Sequence, residues 1–509
     1  MSPPLDSGDG QQPSEATPLL SAAPSTRHQR GIVSPLWRLY LVTLLLSTSF
    51  MCTSTTLIYA FRMIVCDQVL GGDAGGGGDV GCLNLFSTGW LTRRFGVRFS
   101  MFFQTFWPSV RVLCQLWGVL DGTMIGIRVM QLTQLLTILG GGAGYILCVN
   151  TFAAFLVTPE ERTATFGRLQ GIQAFGTALG LVVGGWVGDR FGLPAPFIIA
   201  FILLALSTII SGLFLPYIAP PSPEEAAKSG TDDGGILRPL KIFAPRLVST
   251  GGKSKRWYGL FFIGVGSFVS TFATSTIQIL LQLISTAAFG FTPSANGALM
   301  ALAALSRAGF LTFLFPQIIA RGRQWYSQPR SGAATPPSSS EPAPTHLPDS
   351  FADIEPSQPM LANDSAEEPP APPKPTDRAH GSAFDLAFLR GSILVDAILT
   401  GCIGFAQTGW HLYVAALVIP LASGTAPASK GVVMEMVSPS EQADALQGIA
   451  LIETLAMTLT VSVFGAIFAG LSEVGKAFDV FFINAAMALV ATLILQLARF
   501  PPQPRHSSV

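Results

Sequence analysis

The sequence predicts an all-α integral membrane protein of about twelve spans, built as two six-helix bundles, on three observations. Runs of about 20 mostly apolar residues, long enough to cross a hydrocarbon core of roughly 30 Å, recur along nearly the whole chain. Charged residues are only 12% of 509, about half the share of a soluble protein, and they sit mainly between the apolar runs. A polar stretch rich in Lys and Arg, residues 221–256, then separates the runs into two groups of six.

Taken in order, residues 1–35 are rich in Pro, Ser, Gly and Gln without an apolar core, the composition of a disordered cytosolic tail and not of a cleaved signal. Within it Glu15-Ala-Thr-Pro-Leu19-Leu20 has the acidic-dileucine form that sorting adaptors read, so a vacuolar membrane stands as the alternative to the plasma membrane. Residues 39–61 form the first span. A polar stretch with Asp67, Asp73 and Asp79 follows, and between Gly81 and Leu91 only a short apolar run precedes Arg93-Arg94. The second span is therefore expected to be short or defective. Spans three to six fall at 99–120, interrupted by Arg111, and at 129–158, 169–188 and 191–216, completing an N-terminal bundle over 36–220.

The C-terminal bundle, 257–498, opens with an uncharged stretch over 258–306 that is too long for one span and breaks near Pro293 into spans seven and eight. Residues 322–383 are dense in Pro, Ser, Ala and acids and are expected to form a disordered cytosolic loop. Spans nine to twelve follow at 386–407, 411–437, 445–471 and 480–498, before a C-terminal tail over 499–509. Placing the N-terminus in the cytosol leaves few Lys or Arg near the outside loops, as the positive-inside bias requires.

Composition also excludes function classes. Net charge is zero, which gives no footprint for nucleic acid. The six cysteines, at 52, 66, 82, 114, 148 and 402, lack the paired spacings of a metal or redox site; a disulfide between Cys66 and Cys82 and two lone thiols both remain open there. With five His, no acid or His cluster of ligand spacing and no nucleophile-elbow serine, the chain reads as no enzyme.

An internal repeat points to transport. Val157-Thr-Pro-Glu-Glu161 after span four matches Val437-Ser-Pro-Ser-Glu441 after span ten, and each precedes a Gln-Gly pair, Gln170-Gly171 and Gln447-Gly448. Matching loops at equivalent places in two halves are what a parallel repeat produces, with a cavity between the halves. At these residues the chain resembles the major facilitator superfamily, in particular a fungal branch similar to tetracycline antiporters and proton-coupled folate transporters. The resemblance extends to Gly89-Trp-Leu-Thr-Arg93-Arg94-Phe-Gly96-Val-Arg98, similar to the family's loop between spans two and three, and to residues 280–297. It implies that this loop helps to latch the two halves. Here Arg93 stands where the family carries an Asp, so the latch is expected to be weakened or rebuilt. An echo, Gly185-Trp-Val-Gly-Asp189-Arg-Phe-Gly192, keeps the Asp at the outer end of span five.

A charge near the membrane midplane costs at least ~2.5 kcal/mol, so each needs a partner or a water-filled cavity. Arg307 in span eight and Asp396 in span nine should both lie near mid-depth, where they form either a proton-coupling site or a structural pair; Glu453 is a second protonation candidate. Arg111 is expected to meet either an anionic substrate or a backbone carbonyl, and Gln278 and Gln282, four apart on span seven, share a face suited to a polar substrate. Gln134 and Gln173 are looser candidates. The glycine run Gly140–Gly144 lacks the Lys of a phosphate loop and reads as close helix packing. The expected function is secondary active transport by rocking of the halves, with proton-coupled efflux of a small organic metabolite or drug first. Proton-coupled uptake of an organic anion and a non-transporting receptor are the alternatives. Expected partners are a small-molecule substrate, protons and the bilayer, the chain acting as a monomer without cofactor.

Overall fold

A computed structural model of the protein describes residues 35–65, 77–217, 238–250, 253–327 and 378–501. The dileucine motif, Cys66 and residues 328–377 of the long loop lie outside them. The helices are α1 (Pro35–Val65), α2 (Gly77–Phe95), α3 (Val97–Asp121), α4 (Met124–Leu132), α5 (Gly142–Leu156), α6 (Arg162–Phe191), α7 (Pro194–Leu213) and the short α8 (Arg238–Lys241). After the strands β1 (Arg246–Thr250) and β2 (Lys253–Trp257) come α9 (Gly259–Thr274), α10 (Ile277–Phe289), α11 (Pro293–Gly309), α12 (Phe315–Ser327), α13 (Arg378–Ile403), α14 (Gly409–Val418), α15 (Thr425–Met436), α16 (Gln442–Glu473) and α17 (Asp479–Gln496).

Among the described residues ten stretches are long and apolar enough to cross a membrane; α2 and α3 are the helices that complete the expected twelve. The weakness of the second span is one of hydropathy. Helix α2 runs 19 residues, about 28 Å at ~1.5 Å per residue, close to a full crossing. Its polar residues turn inward: Asn84 donates to Gln104 Oε1 (3.3 Å) and accepts from the Gly144 N–H (2.6 Å), and the Gln104 amide donates to Thr88 Oγ1 (2.6 Å). In lipid every such group must find an internal partner, and here three helices supply one another.

One sequence expectation is corrected. Helix α12 runs to Ser327 and α13 starts at Arg378, so 322–327 and 378–383, assigned to the disordered loop, are helical continuations of the spans they flank. The end of the polar connector is also structured, because β1 and β2 pair antiparallel with Arg246 opposite Trp257, and Ile242 and Phe243 enter the core of the C-terminal half beside Leu260, Ile263 and Ile449.

The echoed motifs build the same corner twice. Gly96 (φ 86°) and Gly192 (φ 84°) link α2 to α3 and α6 to α7 in a conformation side chains rarely adopt. Each corner carries an edge-on Trp–Phe pair, Trp90–Phe95 and Trp186–Phe191, both with ring centroids 6.1 Å apart. Small residues bring α1 and α6 together: a Cβ on Gly176, Gly180 or Gly184 would strike Ser47, Thr48 and Cys52, the four-residue spacing of close membrane helices.

Three spans are discontinuous. The fourth breaks between α4 and α5 through a 3₁₀ turn, Thr133–Ile138; the tenth breaks between α14 and α15 through another, Ile419–Ala422; the seventh breaks between Thr274 and Ile277. The glycine run lies in the first of these. Gly140 packs on Trp107 and Pro108 and Gly144 on Thr88 and Asn84, which is the close packing expected, although the helix is interrupted where a continuous one was expected. Interruptions at corresponding places in two repeated halves mark the depth at which such folds bind their cargo.

Candidate functional site

The two halves meet through polar groups at the end that the Lys and Arg bias assigns to the cytosol. From the end of α2, Arg93 Nη1 donates to Asp444 Oδ1 (3.0 Å) and to Gln447 Oε1 (3.2 Å) at the start of α16. The Gln447 amide in turn donates to the Leu85 carbonyl (3.1 Å), and a Cβ on Gly89 would land 2.1 Å from the Gln447 side chain. The Asp444 carboxylate is buried, and its second oxygen accepts from Arg238 Nε of α8 (3.1 Å). At this contact the N-terminal half supplies the cation and the C-terminal half the acid.

A second cluster sits at the equivalent place across the pseudo-twofold relation. From the end of α12, Arg323 Nε donates to Asp385 Oδ1 (3.0 Å) and Nη2 to Glu435 Oε1 (3.1 Å), with a further close bond from Nη2 to Asp385 Oδ2. It reaches the other half through Nη1 to the Glu160 carbonyl (2.8 Å), while Thr163 Oγ1 of α6 donates to Asp385 Oδ2 (2.6 Å). Close approach is again made by glycine. A Cβ on Gly431 would lie 2.0 Å from Thr163 Oγ1, and one on Gly167 2.2 Å from the Phe315 ring.

The sequence-derived candidates divide as follows. Of the latch loop, Gly89 and Arg93 cross to the other half, Arg94 is exposed, Gly96 forms the corner, and Arg98 donates to the Gly212 carbonyl of α7, tying the N-terminal half to itself. Arg307 lies on α11 and buried Asp396 on α13, with no direct ion pair between them. Glu453 accepts an ion pair from buried Lys430 (3.2 Å), a pairing between α15 and α16 that sequence spacing did not reveal. Arg111 stands apart in the N-terminal half, donating to Thr137 Oγ1 (2.9 Å) with its guanidinium 5.8 Å from the Phe50 ring centre. Gln278 and Gln282 share an exposed side of α10; Gln134 and Gln173 are half-buried. These groups do not form one cluster. Asp444, Arg238, Arg323, Asp385 and Thr163 were not singled out as site residues; the matched loops after spans four and ten were the signal, since Thr163 and Asp444 both lie just beyond them.

A roomy groove of about 630 Å³ lies elsewhere, between α3 and α7, lined by Phe95, Phe99, Phe102, Ile209 and Leu213 with Arg98 and Tyr217. Of the sequence-derived candidates Arg98 lines it.

Residues 80–329 match the model of the Major Facilitator Superfamily. The chain is 23% identical over 185 residues to multidrug resistance protein 2 of Bacillus subtilis, a match covering 36% of this chain and 43% of that relative's length. Among solved structures, the human organic anion transporter MFSD10 (TETRAN) is similar with a TM-score of 0.60 and 14% identity, over 91% of this chain and 98% of that one. The Escherichia coli fucose:proton symporter FucP gives a TM-score of 0.61 and 11% identity over 92% and 99%. The chain therefore has the multi-pass, all-α fold of the Major Facilitator Superfamily and matches that superfamily's model over residues 80–329.

Proposed function

We propose that the protein is a secondary active transporter working by alternating access, and that it exports a small organic metabolite or drug in exchange for protons. The observation that carries this reading is the nature of the contact between the halves. Their polar bonds gather at one end, around Arg93, Asp444, Arg323 and Thr163, where water can replace the partners as the halves part. A rocking machine needs a seam of this kind. In this reading Asp396, a carboxylate buried in α13 within a span, supplies the protonation site. Export is favoured by the name of the Bacillus subtilis relative, a multidrug resistance protein, and proton coupling by that of the fucose:proton symporter.

The test is reconstitution of the full chain in proteoliposomes with an imposed pH gradient, following accumulation of a panel of labelled drugs and metabolites. We expect concentration of at least one compound by the wild type and loss of accumulation, with exchange retained, in Asp396→Asn. Equal accumulation with and without the gradient would remove the proton, and no movement of any compound would favour a non-transporting role.

A further inference from the structure

We infer that the transported compound carries an anionic group, a carboxylate or its equivalent, which Arg111 receives at the break in the fourth span. The inference rests on the transport reading and adds the substrate's chemical class. Arg111 lies fourteen residues past Val97 on α3, about 21 Å along the helix and well inside the membrane. A cation at that depth is retained against an insertion cost of at least ~2.5 kcal/mol. Another cation inside the spans, Lys430, has its acid, Glu453, at 3.2 Å. Among the described residues no carboxylate lies within ion-pair distance of Arg111. Its bonds are one to Thr137 Oγ1 and the face of Phe50, and its buried Nε has no acceptor.

The surroundings suit an anion. Thr137 sits in the turn that interrupts the fourth span, against Gly141, and the next residue, Gly142, begins α5 with open space where a side chain would stand. The fifteen-residue α5 starts at mid-membrane and runs to the cytosolic end, so the positive end of its dipole lies beside the guanidinium. Two of its first N–H groups are held by Gln104 and Asn84, which fixes the break open. A guanidinium with a free Nε presents the fork that a carboxylate fits, and Phe50 offers an apolar face to the rest of the molecule. The Arg111 charge is then balanced by the cargo and not by the protein.

The experiment measures thermal stabilisation of the purified full chain by benzoate, 2-naphthoate and ibuprofen, each beside its neutral primary amide, and then exchange of the same compounds in proteoliposomes. Binding in detergent needs neither a gradient nor turnover, so a failure of proton coupling and a failure of the anion site are read separately. We expect carboxylates to stabilise the wild type and amides not to. Arg111→Gln should lose roughly ten- to hundred-fold in apparent affinity, the range of a charge-assisted hydrogen bond, and Arg111→Lys should keep the preference at lower affinity. Ligand-free unfolding temperatures of the variants, matched to the wild type, confirm that they are folded. Amides binding as well as carboxylates, no stabilisation by any carboxylate, or undiminished binding by Arg111→Gln would each overturn the proposal.

Discussion

The two polar clusters between the halves are built from equivalent parts and do different work. In one, Arg93 ends α2 of the N-terminal half and Asp444 opens α16 of the C-terminal half, so the ion pair itself spans the seam. In the other, Arg323 ends α12 and its acids, Asp385 and Glu435, belong to the same half; only the Glu160 carbonyl and the Thr163 hydroxyl reach across. The first cluster can therefore respond to rocking, whereas the second holds the C-terminal half together and merely touches its neighbour. Asp444 shows how a buried acid tolerates this. Arg238 sits on a segment packed into the C-terminal core and bonds the other oxygen, so parting from Arg93 leaves the carboxylate with one cation.

The comparison is most easily broken at Arg323. Arg323→Ala takes the arginine from Asp385, which is fully buried, and removing one partner of a buried pair costs about 3–5 kcal/mol. A large drop in the unfolding temperature of the purified protein is expected. An unchanged temperature would mean that the second cluster does not hold its half together.

Arg93→Ala should act on conformation more than on stability, because Arg93 is about one-third exposed and Arg238 still neutralises Asp444. Thr151 is buried beneath the seam beside Gly89 and Asp444. A cysteine placed there by Thr151→Cys should react with an impermeant maleimide several-fold faster from the cytosolic side once Arg93 is gone. A double-mutant cycle with Asp444→Asn should return a coupling of roughly 1 kcal/mol or more; independent effects would show that the pair does not govern opening.

Thr163→Val removes one cross-seam hydroxyl and leaves Asp385 its arginine, so about 0.5–1.5 kcal/mol is expected, with a smaller rise in labelling than for Arg93→Ala. The reverse ranking would exchange the roles of the clusters. The smallest effect is assigned to Arg246→Ala, which breaks a partly exposed pair with Glu441 inside the C-terminal half. It should cost less than about 1 kcal/mol and leave the Thr151→Cys labelling rate unchanged.

Much of this was legible in the order of residues. Apolar runs gave the spans because a span's length is set by the bilayer, and the matched loops at Val157 and Val437 gave the two halves because duplicated segments keep their turn chemistry. The second span was harder to read, since Asn84 and Thr88 lower its hydropathy while bonding only to neighbours in the fold.

By itself the sequence determined that the chain crosses the membrane repeatedly, that it is doubled, that Arg93 stands in place of an acid, and which few charges must be accounted for at depth. Hydropathy and local spacing are properties of consecutive residues, so these follow without coordinates. Only the tertiary structure decided that Asp444, some 350 positions away in sequence, receives Arg93, that Lys430 takes Glu453, and that Arg111 is left without an acid. The partner of a buried charge is chosen by which helices pack together, and a membrane helix carries no local signal of its neighbour beyond the small residues that let it approach.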